Sequence, residues 1–314
     1  MKKVAFLFPG QGSQAVGMGK DLYENFESAK EVFDTADLTL GKSITKICFE
    51  GPEEDLKQTV NTQPSIVTMS IAAMEALRSQ VNIVPDYVAG HSLGEYCALF
   101  TAGVMSLEST LKAIQKRADL MGATKGGSMA AVLNASEEQL KAGLEVGSKI
   151  GYVDVANYNS PAQVVITGAD DAVKAASDYL LANGVRRVVP LAVSGAFHSK
   201  FMEDAGKEFA AFVSELELNN ASIPVITNVD AQATTNAGEF RAKMPKQIYS
   251  SVHWTQTIQK MVEEGVDTFI EIGPGKVLAG LNKKIAPEAT VYNVFDKASL
   301  DATIEALKEN MVGV

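Results

Sequence analysis
Apolar residues in this chain fall into short unbroken blocks and longer stretches with a helical repeat, and the two alternate along most of its length. Val4-Ala5-Phe6-Leu7-Phe8 is a block of strand length that runs into Pro9-Gly10-Gln11-Gly12-Ser13-Gln14, which predicts a buried parallel strand feeding a glycine-rich turn. Residues 21–36 then carry Leu22, Phe26, Ala29 and Phe33 at helical spacing. A loop-rich section follows, after which Pro64 stands where a first helical residue would, ahead of the stripe Ile66, Met69, Ala73 and Leu77. Residues 87–90 read as a short buried strand and residues 95–101 as a helix. Residues 107–121 read as a second helix, with Leu107, Leu111, Ile114, Ala118 and Met121 on one face.

From Gly126 the texture changes. Strand-like 128–133, helical 137–146, strand-like 153–157 and 163–167, helical 171–181 and strand-like 186–193 make a β-α-β-β-α-β order, the ferredoxin-like split pattern. Beyond it come an amphipathic helix with Phe201, Ala205, Phe209 and Phe212, a strand-like segment 224–229, and a helical segment opened by Pro245. Strand 266–272, a helix with Val277, Leu278 and Leu281, strand 292–295 and helix 300–307 finish the chain. The prediction is an α/β protein in which residues 1–125 and 197–314 form a mainly parallel sheet flanked by helices. A small ferredoxin-like subdomain, residues 126–196, is inserted into it.

Strand 87–90 and helix 95–101 meet at Gly90-His91-Ser92-Leu93-Gly94, the Gly-x-Ser-x-Gly pattern of a nucleophile elbow, and this makes the larger body hydrolase-like. The flanking glycines allow a tight turn that lifts the Ser92 hydroxyl to the head of a helix. Gly10-Gln11-Gly12-Ser13-Gln14-Ala15 also fits a dinucleotide-binding Gly-x-Gly-x-x-Ala turn, but that site needs a second strand ending in an acid about 20 residues on. Residues 21–36 are helical there, so the turn is better read as a source of backbone N–H groups for the serine. A serine nucleophile needs a base, and among three histidines His198 is the candidate. It sits before the helix of residues 201–212, whose dipole would keep the ring neutral. A capping histidine without chemistry is the other reading. His91 should point away from the hydroxyl, and His253, beside Trp254, should pack. Arg117 falls at the edge of the apolar face of helix 107–121, where a guanidinium is costly unless paired. Position alone leaves a snorkelling or salt-bridged arginine open.

Composition narrows the setting. With 314 residues, 46% hydrophobic and 21% charged, the chain can bury a large core. A net charge of -10 argues against nucleic acid as the main partner. No apolar run reaches membrane-spanning length, and the block after Met1-Lys2-Lys3 is too short for a signal peptide, so a cytoplasmic protein without a membrane partner is expected. Cys48 and Cys97 have no companions at metal-ligand spacing and read as buried thiols; no metal is expected.

Four stretches in order, Phe8-Pro9-Gly10-Gln11-Gly12-Ser13-Gln14, Gly90-His91-Ser92-Leu93-Gly94-Glu95, Gly195-Ala196-Phe197-His198-Ser199 and Glu271-Ile272-Gly273-Pro274-Gly275, resemble the signatures of malonyl-CoA:acyl-carrier-protein transacylases. The resemblance covers nearly the whole chain. It implies transfer of malonyl from malonyl-CoA to the phosphopantetheine thiol of an acyl carrier protein through a malonyl-serine, supplying fatty acid synthesis, with no cofactor. It implies Ser92 as nucleophile, His198 as base, and the N–H groups of Gln11 and Leu93 as oxyanion hole. Arg117 would take the malonyl carboxylate, and Phe197 would narrow the space at its α-carbon. The imidazole would be oriented by a backbone carbonyl near Gln247, with Asn228 in support. An acidic carrier would dock on a local basic spot, for which Arg186, Arg187, Lys283 and Lys284 are candidates, and a monomer is expected.

Three other readings share parts of this pattern. An α/β-hydrolase esterase or lipase should show an acid between serine and histidine, and a patatin-like enzyme an Asp-Gly-Gly or Asp-Gly-Ala motif; neither is marked here. A non-catalytic carrier-binding scaffold would not need Ser92, His198 and Arg117 together. A relative serving a polyketide or polyunsaturated lipid pathway is separated only by the free-standing length, which favours fatty acid synthesis.

Overall fold
The structure, a computed structural model, describes residues 2–310. Among the described residues ten strands make two sheets: β1 Lys3–Phe8, β2 Tyr87–Gly90, β3 Ser128–Leu133, β4 Val153–Ser160, β5 Gln163–Gly168, β6 Arg187–Pro190, β7 Val225–Ile226, β8 Ala233–Thr234, β9 Val266–Ile272 and β10 Thr290–Val294. The first sheet runs β10-β9-β1-β2-β7-β8 and is parallel except for β8 at its edge. β1 lies at its centre, and both of its faces are buried: Phe6 and Phe8 enter one core, Ala5 and Leu7 the other. That is why its sequence is an unbroken apolar block. The second sheet is antiparallel, β4-β5-β3-β6, with the helices Glu137–Ser148 and Asp170–Ala182 packed together on it. It is tied to the larger body through Val252, whose N–H donates to Ala156 and whose carbonyl accepts from Tyr158.

Several helices differ from the sequence reading. Residues 20–40 form two helices, Lys20–Asn25 and Glu27–Leu40, because Phe26 takes an extended backbone and turns its ring into the core. The section read as loop holds the helices Ile44–Glu50 and Glu53–Leu56. Pro64 lies inside the helix Thr59–Gln80 rather than at its start. A proline there frees the carbonyl four residues back, and that carbonyl, of Val60, accepts instead from Lys42 Nζ at 3.1 Å and Gln115 Nε2 at 3.2 Å. Pro245 likewise sits near the end of the helix Ala237–Gln247, which begins under the Asn236 cap. Segment 224–229 contributes only two strand residues, since the backbone beyond them turns towards the elbow.

Candidate active site
Ser92 stands at the corner where β2 gives way to the helix Gly94–Thr101. Glycine is required on both sides of it: a Cβ at Gly90 would fall 1.9 Å from the Gly94 carbonyl, and one at Gly94 would fall 2.3 Å from the Phe8 oxygen. Ser92 itself has φ 52, a left-handed conformation that costs a non-glycine residue energy unless its surroundings impose it. Here they do. The Ser92 N–H donates to Asn228 Oδ1 at 2.9 Å, Asn228 Nδ2 donates to the Gly90 carbonyl at 2.8 Å, and Gln247 Nε2 donates to the Ser92 carbonyl at 2.8 Å. Behind Asn228, its own N–H donates to the buried Glu95 carboxylate at 2.7 Å.

His198 also has φ 52. Its Nδ1 lies 2.9 Å from the Gln247 carbonyl and 3.1 Å from that of Ser250. Carbonyls only accept, so Nδ1 carries the proton and Nε2 is left as acceptor, 2.7 Å from Ser92 Oγ. Burial, then the Arg117 cation, push the imidazole down to about 3, against the pull of the Gln247 carbonyl. The ring is thus neutral at physiological pH. The expected helix dipole plays little part: after the short turn Lys200–Met202 the α-helix begins only at Glu203.

Arg117, in the helix Leu107–Ala123, is fully buried rather than snorkelling. Its Nη1 donates to Gln63 Oε1 at 2.7 Å, and its Nη2 donates to Ser92 Oγ and to Gln247 Oε1, both at 3.0 Å. Its Cζ sits 5.7 Å from the centre of the Tyr96 ring. The serine hydroxyl therefore receives a guanidinium N–H while giving its own proton to a neutral imidazole, an arrangement that can act as a nucleophile–base pair with a cation beside it.

A cavity of about 300 Å³ opens on this cluster, lined among others by Gln11, Gln63, Met121, Met129, Phe197 and His198. The N–H groups of Gln11 and Leu93 have no acceptor among the described residues, while the Gln11 turn is held by Ser13 Oγ on the Gly10 carbonyl and Gln14 Oε1 on the Gly12 N–H. Two free donors beside a nucleophile can receive a developing oxyanion. Asn228 and Gln247 are buried behind the serine. His91 turns away, 2.7 Å from Asn159 Oδ1, and His253 stacks on Tyr158. Arg186, Arg187, Lys283 and Lys284 are exposed and do not line the cavity, and their side chains have no hydrogen-bond or ion-pair partner among the described residues. Cys48 and Cys97 are free and buried. No group of three or more His, Cys, Asp or Glu among the described residues could hold a metal.

Sequence reasoning missed Gln63, Tyr96, Ser250 and the position of Glu95 behind Asn228. Glu95 alone carried a signal, as a carboxylate inside an otherwise apolar helix turn; Gln63 lies in a segment read as loop.

The acyl transferase domain family profile matches residues 5–301. A malonyl CoA-acyl carrier protein transacylase of Bacillus subtilis (strain 168) is 42% identical over 313 residues, 98% of each chain. The crystal structure of an acyl carrier protein S-malonyltransferase from Vibrio cholerae has a TM-score of 0.93 at 40% identity, covering 96% of this chain and 100% of that one. A malonyl-transacylase in complex with its type II PKS acyl-carrier protein has a TM-score of 0.94 at 35% identity, covering 97% and 100%.

Proposed function
The chain belongs to the acyl transferase family and within it to the malonyl CoA-acyl carrier protein transacylases, and on that premise we propose that Ser92 carries a malonyl group from malonyl-CoA to an acyl carrier protein. The observation that carries this reading is that one hydroxyl, Ser92 Oγ, is shared by the His198 imidazole at 2.7 Å and the Arg117 guanidinium at 3.0 Å. Base and carboxylate receptor thus meet at the nucleophile.

Ser92 Oγ attacks the thioester carbonyl as His198 Nε2 takes its proton, and the N–H groups of Gln11 and Leu93 receive the oxyanion. The C–S bond then breaks, and the departing CoA thiolate recovers the proton from His198. The carrier's phosphopantetheine thiol enters by the same steps in reverse, its proton passing through His198 to Ser92. The cargo's free carboxylate pairs with Arg117, while Phe197, 5% exposed in the cavity wall, restricts substituents at the α-carbon. Every group this chemistry uses is a side chain or amide of the chain itself, so the proposed reaction needs no cofactor.

The test is intact-mass analysis after exposure to a panel of acyl-CoAs. One malonyl group should add to the protein, and Ser92→Ala should abolish the label; equal labelling of that variant would refute the assignment. The carrier is proposed to dock on the exposed pairs Arg186-Arg187 and Lys283-Lys284. Reversing Lys283 and Lys284 to Glu should raise the carrier's KM at low salt, and an unchanged KM removes that surface. We further propose a cytoplasmic monomer with neither nucleic acid nor membrane as partner. No helix among the described residues is long and apolar enough to cross a membrane. Sedimentation showing a larger assembly would correct the oligomeric state, and recovery of the native protein with membranes or nucleic acid would correct the setting.

A further inference from the structure
Arg117 is a buried cation with no carboxylate paired to it among the described residues. Its two terminal nitrogens rest instead on two amide oxygens, Gln63 Oε1 on Nη1 and Gln247 Oε1 on Nη2. Gln247 also serves Ser92 and Asn228 through its Nε2. Gln63 has no such second duty: it is 1% exposed, and its own Nε2 meets only Met121 Sδ at 3.5 Å. If stability alone decided, a carboxylate would suit Nη1 better than an amide, because a charge-assisted bond is stronger and would compensate the buried charge. The buried acid that acts on Arg117 through space, Glu95, has an oxygen engaged by the Asn228 N–H. The guanidinium is therefore aimed at Ser92 and still carries its full charge.

We propose that Gln63 is a positioning residue that sets selectivity for acyl groups ending in a carboxylate, its neutral amide aiming Arg117 while leaving the guanidinium charge for the cargo. This rests on Arg117 as the receptor of that carboxylate. Two of the five guanidinium N–H groups stay unused, on Nη1 and Nε, the latter buried without a partner. The hydrogen that Nη2 gives to Ser92 is released when acylation turns that hydroxyl into a poorer ester acceptor. A carboxylate held at position 63 would pair with the cation first and repel the cargo.

The experiment compares kcat/KM for malonyl-CoA and acetyl-CoA in the wild type, Gln63→Glu, Gln63→Met and Arg117→Ala. Gln63→Glu should lower the malonyl value on the order of 100-fold and leave the acetyl value within about fivefold. Gln63→Met, which removes the acceptor at similar volume, should cost malonyl roughly tenfold and acetyl clearly less, so that the malonyl-to-acetyl ratio falls. Equal losses for the two substrates would reduce Gln63 to packing and overturn the proposal. If Gln63→Glu does not fold, Gln63→Met decides by the same ratio. An Arg117→Ala protein that keeps the wild-type ratio removes the receptor reading itself; one that loses the ratio while the Gln63 variants keep it overturns the Gln63 proposal alone.

Discussion

Ser92 and His198 sit on two backbone corners with the same φ of 52, yet the corners are built differently. Corner 92 is held by side chains that arrive from far along the chain, Asn228 and Gln247, and by glycines that let β2 and its helix approach. Corner 198 is held by main chain: its N–H donates to the Ile248 carbonyl at 3.2 Å, and its ring donates to the carbonyls of Gln247 and Ser250. A backbone carbonyl cannot be deleted by substitution. The proposed base is therefore oriented robustly, while the proposed nucleophile depends on a polar web that single changes can cut.

The largest effect should come from removing the base. His198→Ala should lower the single-turnover rate of Ser92 acylation roughly 10³- to 10⁴-fold, while the loss of the ring's bonds to the Gln247 and Ser250 carbonyls should cost the fold only about 1–3 kcal/mol. Acylation within tenfold of the wild type would mean that the 2.7 Å contact is not the proton path. Asn228→Ala comes next and tests the other corner. It strands the Ser92 N–H and the Gly90 carbonyl, so acylation should fall roughly 10- to 100-fold and unfolding free energy by about 1–3 kcal/mol. A denaturant midpoint unchanged from the wild type would show that corner 92 does not lean on this side chain.

The same contrast explains what could be read from sequence. Corner 92 was legible because its geometry is written locally, in two glycines between an apolar strand and a helix. The ring of His198 was legible as a candidate only through the scarcity of histidines and through family resemblance, since carbonyls of residues 247 and 250 leave no trace in residue type. Strands β1, β3 and β9 were visible as blocks because they are buried on one or both faces. The helix through Pro64 was not, because the donors that rescue the Val60 carbonyl, Lys42 and Gln115, are 18 and 55 positions away. Arg117 announced that it needed a partner, but sequence could not show that three neutral oxygens meet it or that Gln63 supplies one of them.

The smallest effect on activity and the finest test of the comparison lies in pH. Burial pushes the Glu95 carboxyl, behind corner 92, up to about 7 from 4.5, even though the Asn228 N–H and then Arg117 and Lys243 pull it down. The folded protein holds a proton there that the unfolded chain releases, so this contribution to stability is whole below pH 4.5 and lost as pH rises through 7. His198 runs the other way, titrating at 6.5 when unfolded and about 3 when folded. Its contribution is whole above pH 6.5 and lost as pH falls towards 3. Between pH 4.5 and 6.5 the two corners tilt stability in opposite directions and offset one another. Glu95→Gln keeps an oxygen for the Asn228 N–H but cannot titrate, so acylation at neutral pH should stay within about tenfold of the wild type. Its stability relative to the wild type should climb by roughly 2–3 kcal/mol from pH 4.5 to 6.5 as the His198 slope is unmasked. His198→Asn should tilt the opposite way. Urea unfolding of the three proteins across that window decides it, and parallel curves would mean that these two groups do not keep the buried, opposed protonation states on which the pairing of a neutral base with a cation-flanked serine depends.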